Sequence, residues 1–535
     1  MYKLINRNCI GHNAVVSTAR IEASEIGINI LKSGGNYIDA AVAVGFALGV
    51  CEPSTSGLGG GGFMVIKEGK KNDAIFIDFR EVAPQNASPD MWKLNQEGKV
   101  INCENYIGGK SVAVPGELAG LVYVLENYGT MSLEEVIEPS TKLAKDGFVI
   151  TDMMAEHFST HIQNTSHLKS DLSLYFKNDL KLRIGEKFKN IALARTLTLI
   201  SKYGKDIFYK GQIGEIIVNA VTSNNGVLNM KDLERYRTNV QAPVTGCYRG
   251  YKIISSSTPN SGGIHIIQIL NILENFDISA LEVNSSGYLH LFSEAIKKAY
   301  LDRSNNLADN QFVDVPIKGL ISKEYAQEIS KSINKKKSSE ICIKNPWNYE
   351  HDETTHYSIG DSEGNMVAVT KTINHFCGSC IVPYETGILL NNSMSDFSID
   401  KNNINAVAPF KKPLSTMSPT IILKNDKPYA IIGSPGGSRI ICIIVQVISK
   451  LIDHNMNIME AINSPRITED TNNIIVYEGR INNKVVKELE MMGHKTKKVL
   501  NYDIKMGGVQ GIKYMDDGKI EGTADPRRDG RAVGY

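Results

Sequence analysis

HDETTHYSIGDSEGNMVAVTKTIN, residues His351 to Asn374, reads as two strands joined by a tight turn. THYSIGD and NMVAVTKTI alternate with the period of a half-buried strand, and Ser362-Glu363-Gly364 between them are turn residues. In the first strand Thr354, His356 and Ser358 share one face, with Thr355, Tyr357 and Ile359 on the other. Gly360-Asp361-Ser362-Glu363-Gly364 also matches G-x-S-x-G. That motif needs its serine on a strand-to-helix turn, whereas Ser362 sits between two strands, so it is read as a solvated turn serine.

Thr354 is the more interesting hydroxyl. It opens a strand directly after Lys331–Glu353, a polar, lysine-rich stretch read as an exposed linker. If the chain were cut before Thr354, the freed α-amine, with an ordinary pKa of about 7.7–8.0, could serve as base for the adjacent hydroxyl. From spacing alone, a plain strand-start threonine remains the better reading.

A second feature raises the stakes. Gly433-Ser434-Pro435-Gly436-Gly437-Ser438-Arg439 lies between the strand YAII and the buried helix SRIICIIVQVISKLI. Glycines there let backbone N–H groups converge at a helix start, a place for a developing oxyanion. A simple strand-to-helix turn explains the same residues.

Further outward, helices are expected from Ala23 to about Ser33 before Gly34-Gly35, over DAAVAVGFALGV, from the capping box at Ser132 to Gly147, and over residues 289–303. GILLNN and PTIILK read as strands, and NDKP turns the chain into YAIIGS. Gly57–Gly62 matches G-x-G-x-x-G but runs into the strand GGFMVI, so it is read as a close backbone approach rather than a nucleotide loop.

Bulk properties narrow the function. At 535 residues the chain forms several domains or one large interlocked body. Lys and Arg number 59 against 58 Asp and Glu, a net charge of +1 that gives no field for nucleic acid or an anionic membrane surface. A small neutral or zwitterionic substrate suits it better. The first residues lack the apolar run of a signal peptide, so the chain as given is expected in the cytoplasm. The eight cysteines are read as free thiols, including the close pair Cys377 and Cys380.

Taken in order, SGGNYIDAAVAVGFALGVCEPSTSGLGGGGFMV, DFREVAP, SVAVPGELAGL, SSSTPNSGG, AYLDR, TTHYSIGDSEGNMVAVTKTIN, GILLNN, KKPLSTMSPT, GSPGGSR and ADPRRDGRAVGY resemble the γ-glutamyltransferase family, also called γ-glutamyl transpeptidase or glutathione hydrolase. The resemblance implies an N-terminal-nucleophile hydrolase fold, a four-layer αββα sandwich. It implies self-cleavage between Glu353 and Thr354, giving a large subunit from 1–353 and a small one from 354–535 that stay intertwined, the linker becoming a mobile tail. It also implies transfer of a γ-glutamyl group from glutathione or a related amide through Thr354 to water or an amino acid or peptide, with no metal or organic cofactor.

Residue by residue, Thr372 matches the second threonine, Asn374 and Asp396 the partners of the glutamyl ammonium, Arg80 with Ser415 and Thr416 the carboxylate clamp, and Gly436 and Gly437 the oxyanion amides. A zwitterionic head does want a bidentate arginine and an acid. Singly, Arg80 reads as a surface ion pair and Asp396 as a cap; their joint order favours the site.

Departures from the family pattern are Ser393 and Ser395 in SMSDF, Thr416 in place of a serine, Cys377 and Cys380, and a short connector from Phe397 to Pro413. The last resembles members without a lid over the glutamyl site. They keep open another amide acylase, acting on poly-γ-glutamate, β-lactam side chains or other small amides, or an inactive binding paralogue.

Overall fold

The computed structural model describes residues 6–162, 172, 182–340, 353–470 and 474–535. Two seven-stranded sheets form its centre. One runs, in spatial order, Arg531–Gly534, Ala14–Thr18, Thr355–Asp361, Met366–Thr372, Gly61–Lys67, Ala74–Asp78 and Asn239–Gln241. The other runs Asn8–Gly11, Ile520–Ala524, Gln510–Tyr514, Lys427–Gly433, Thr420–Lys424, Tyr251–Ser255 and Val244–Tyr248. Neighbours pair antiparallel, and both sheets combine strands from before and after residue 353.

The hairpin predicted from THYSIGD and NMVAVTKTI lies near the middle of the first sheet, with Thr355 opposite Lys371 and Gly360 opposite Met366. The two sheets face each other across this hairpin, and helices cover their outer faces. Helix Tyr37–Cys51 is buried almost all round, as its small apolar residues require, and starts at a capping box between Asn36 and Asp39. Helices Gly262–Leu273 and Ile440–Ile452 cover the other sheet. The αββα sandwich is therefore the observed fold. Packing two twisted sheets face to face buries the inner side of each, and the helices bury the outer sides.

Local readings hold with small boundary shifts: Ile21–Lys32, Leu133–Asp146 with both halves of its capping box formed, and Ser286–Asn306 are helices. Gly60 shows why the glycine run is needed: a Cβ there would lie 2.0 Å from the Thr372 carbonyl oxygen. Ser362 sits exposed in the hairpin turn.

One expectation needs correction, and a second needs detail. GILLNN is not a strand; Leu390 makes one isolated bridge to Gly59. The asparagines explain this, because Asn391 Nδ2 donates to the carbonyls of Gly59 at 2.7 Å and Ala113 at 2.9 Å, and Asn392 Nδ2 donates to Tyr106 O at 2.9 Å. The exposed linker is anchored at both described ends: Ser339 N–H donates to Glu294, the Asn334 carbonyl meets His290 Nε2 at 2.7 Å, and Glu353 is buried. Residues 341–352, which carry the rest of that reading and of the mobile tail, lie outside the described residues. No helix among the described residues is long and apolar enough to cross a membrane.

Candidate active site

The hairpin brings Thr354, just before its first strand, beside Thr372, at the end of the second. Thr354 Oγ1 donates to Thr372 Oγ1 at 3.4 Å. The Thr372 hydroxyl donates in turn to the Glu353 carbonyl at 2.5 Å and accepts the Asn374 N–H at 2.8 Å. The carbonyl before Thr354 is thus polarised by a hydroxyl that also touches the Thr354 side chain.

Asn374 takes φ 80°, a left-handed turn that asparagine tolerates, and this carries its side chain towards Asp396. Its Nδ2 donates to Asp396 Oδ1 at 2.9 Å and to Ser395 Oγ at 3.0 Å. Arg80 is fully buried rather than a surface residue, and its guanidinium bonds both Asp396 Oδ2 and Glu81 Oε2. Burial opposes its charge, but the two carboxylates outweigh burial and raise its pKa. Burial raises the pKa of Asp396 and of Glu81 above the usual carboxylate range, against the pull of Arg80. Asp396 also feels the Arg303 charge, so this corner sets two carboxylates against cations on two sides.

On the opposite wall Thr416 Oγ1 donates to the Gly437 carbonyl at 2.7 Å, bracing the glycine turn, and Ser415 Oγ accepts Met417 N–H at 3.2 Å. A small cavity, open to solvent, is lined by every predicted site residue, Glu353 included, except Gly436. Gly436, at φ 137°, shapes the turn instead; a Cβ on it would meet the Ile443 side chain. His356, on the same strand as Thr354, points between the sheets, with Nδ1 2.8 Å from Thr370 Oγ1 and Nε2 3.1 Å from Ser358 Oγ. Burial pushes its pKa down to about 3, so it is a neutral packing residue.

The gamma-glutamyltranspeptidase family model matches residues 23–535. The chain belongs to the gamma-glutamyltranspeptidase family. The "Glutathione hydrolase proenzyme" of Escherichia coli (strain K12) is 40% identical over 538 residues, covering 97% of this chain and 92% of that protein. Among solved structures, the cephalosporin acylase from Bacillus halodurans superposes with a TM-score of 0.90 at 25% identity, covering 100% of this chain and 98% of the other. The Helicobacter pylori gamma-glutamyltranspeptidase aligns at 42% identity with a TM-score of 0.56, over 58% of this chain and 89% of the other.

Ser393 is one of the positions that the sequence reading sets apart from the gamma-glutamyltranspeptidase pattern. The Ser393 hydroxyl donates to Glu81 Oε1 at 2.9 Å, so it holds the acid that holds Arg80. Sequence reasoning gave no role to Glu81; the only available signal was its place beside Arg80 in DFRE. Nor did it single out His157, whose Nε2 lies 2.7 Å from Glu353 Oε1 and for which no local pattern exists.

Cys377 and Cys380 are buried, and burial pushes the Cys377 thiol well up, which suits an inert thiol rather than a reactive one. Among the described residues His290, Glu294 and His494 bring possible ligand atoms within 4.8 Å of one another. The Lys297 ammonium lies 3.0 Å from Glu294 and is fully buried there, so a cation already occupies that carboxylate.

Proposed function

We propose that this family member matures by cutting its own chain at Glu353–Thr354 and then acts as a γ-glutamyltransferase and glutathione hydrolase with Thr354 as nucleophile. In maturation Thr354 Oγ1 bonds to the Glu353 carbonyl carbon, its proton passes to the Thr354 nitrogen, and the C–N bond breaks to leave an ester. Water cleaves that ester, giving a Glu353 carboxylate and a Thr354 with free hydroxyl and free amine.

In turnover the amine takes the hydroxyl proton, Oγ1 attacks the γ-glutamyl carbonyl, and the N–H groups of the Gly436–Gly437 turn hold the oxyanion. The leaving amine departs with the proton, and water or an acceptor amine releases the glutamyl group. Arg80 with Ser415 and Thr416 takes the α-carboxylate, while Asp396 and Asn374 take the α-ammonium. Removing one oxyanion donor costs roughly a hundredfold to a thousandfold in turnover.

The observation that carries this reading is the hydroxyl relay from Thr354 through Thr372 to the Glu353 carbonyl, set beside the buried Arg80–Asp396 corner. N-terminal sequencing of the smaller fragment tests it directly: the fragment begins at Thr354. A purified chain that stays one band on a denaturing gel sinks the proposal.

A second reading, an acylase for other amides, draws on the full-length likeness to a cephalosporin acylase. A γ-glutamyl anilide and a glutaryl anilide differ only in the α-amino group. The Asp396 corner favours the γ-glutamyl compound, and faster release from the glutaryl compound would turn the assignment to the acylase.

A further inference from the structure

We propose that His157 is a positioning residue for the self-cleavage step, holding the Glu353 side chain so that the peptide carbonyl before Thr354 presents a fixed face to the attacking hydroxyl. The inference rests on the reading of Thr354 as the nucleophile and adds to it a residue from a distant helix.

Among the described residues, Glu353 is gripped through both its carbonyl and its carboxylate. Its carbonyl accepts the Thr372 hydroxyl at 2.5 Å, and its carboxylate accepts the His157 Nε2–H at 2.7 Å. Set on either side of the Cα, these two bonds restrict rotation about the backbone on both sides of the bond to be broken. Such fixed geometry counts because attack requires the reacting atoms to approach at about 3–3.5 Å in a defined direction.

His157 is itself held. It lies on helix Asp152–Ile162, 12% exposed, with its ring edge-on to Phe376 at 4.9 Å and 75°. Phe158 meets the same Phe376 ring edge-on at 5.0 Å and 76°. Phe376 lies two residues after Asn374 in the chain, so the helix that carries His157 is registered against the segment that forms the pocket. The Glu353 carboxylate that accepts this bond is itself only 6% exposed, so little water competes for it.

The two-point grip serves cleavage and not turnover. Once the C–N bond breaks, Glu353 is the end of the large fragment and has to clear a cavity that it lines, whereas the γ-glutamyl substrate needs no part of His157.

The test follows full-length chain from a cell-free synthesis pulse and measures the first-order conversion of precursor to two fragments. His157→Ala and Glu353→Ala are each expected to slow conversion about tenfold, the scale of one lost hydrogen bond to a charged group. The double variant is expected to be no slower than either single one, because both remove the same contact. His157→Gln, which can still donate to the carboxylate, is expected to recover most of the rate.

Matured His157→Ala is expected to hydrolyse a γ-glutamyl anilide within about twofold of wild type per active site, which a merely misfolded variant would not do. Wild-type maturation in His157→Ala, or slowing that multiplies in the double variant, overturns the inference while leaving the nucleophile assignment intact. Maturation of Thr354→Ala would instead overturn the assignment beneath it.

Discussion

The two ends of one hairpin carry hydroxyls in look-alike settings, and only one belongs to a site. The turn end offers Ser362 inside G-x-S-x-G; the open end, roughly 20 Å away along strands Thr355–Asp361 and Met366–Thr372, offers Thr354. Ser362 is exposed, and its turn is closed by Asp361 Oδ1 accepting the N–H groups of Glu363 and Asn365 at 3.0 Å each. Thr354 is 6% exposed and shares a cavity with Arg80, Asp396, Ser415 and Gly437, all distant in sequence. Chemistry here is set by what the rest of the chain brings to a hydroxyl, not by the short pattern around it.

The sharpest way to break this contrast is Thr354→Ala. Loss of the hydroxyl is expected to abolish both maturation and turnover, leaving one band on a denaturing gel. Any cutting at the same bond, identified by mass spectrometry, would remove Thr354 from its role.

Next in size is Arg80→Ala, which removes the only cation bonded to both Glu81 and Asp396 among the described residues. Truncating one partner of a hydrogen-bonded charge pair typically costs about 2–5 kcal/mol in binding, or roughly thirtyfold to a few thousandfold in kcat/KM for the γ-glutamyl substrate. Arg80→Lys is expected to recover little, since a single ammonium cannot span both carboxylates as the fork does. Near-normal kcat/KM in either variant would mean that the buried charges do not hold the substrate head.

How much of this was legible beforehand differs between the two ends. The hairpin and its turn were readable from alternation and turn residues, because a strand's own side chains largely decide those. Gathering the site was readable only from motifs in family order, since no local rule says that DFRE, SMSDF and PLSTM meet at the end of THYSIGD. GILLNN misled because its apolar run resembles a strand, while the asparagines that follow divert backbone partners elsewhere. His157 left no trace at all: its meaning depends on Glu353, close in space and far along the chain.

Midway along the hairpin, His356 supplies a smaller test. Its pKa is pushed from the ordinary value of 6.5 to about 3 by burial, so the folded state refuses a proton that the unfolded chain accepts. Stability present above about pH 6.5 is therefore lost progressively as pH falls towards about 3. His356→Asn, compared in uncut Thr354→Ala chain by thermal midpoint against pH, is expected to flatten that acid slope. It will not abolish it, because burial also lowers His265 and His494 to about 3. An unchanged slope would show that the imidazole is not sealed between the sheets.

The smallest expected effect lies at the turn. Ser362 donates its backbone N–H to the Asn13 carbonyl at 2.8 Å, a bond that any residue can make, and its side chain faces solvent. Ser362→Ala is therefore expected to mature, fold and turn over like wild type, within about 0.5 kcal/mol in stability. Asp361→Ala is the informative companion, because that carboxylate closes the turn through the N–H groups of Glu363 and Asn365 and through Asn365 Nδ2 at 2.8 Å. A loss of stability in Asp361→Ala with activity per active site retained would mark the turn as scaffold. A loss of turnover in Ser362→Ala, with maturation intact, would instead revive the serine pattern and undo the contrast between the two ends.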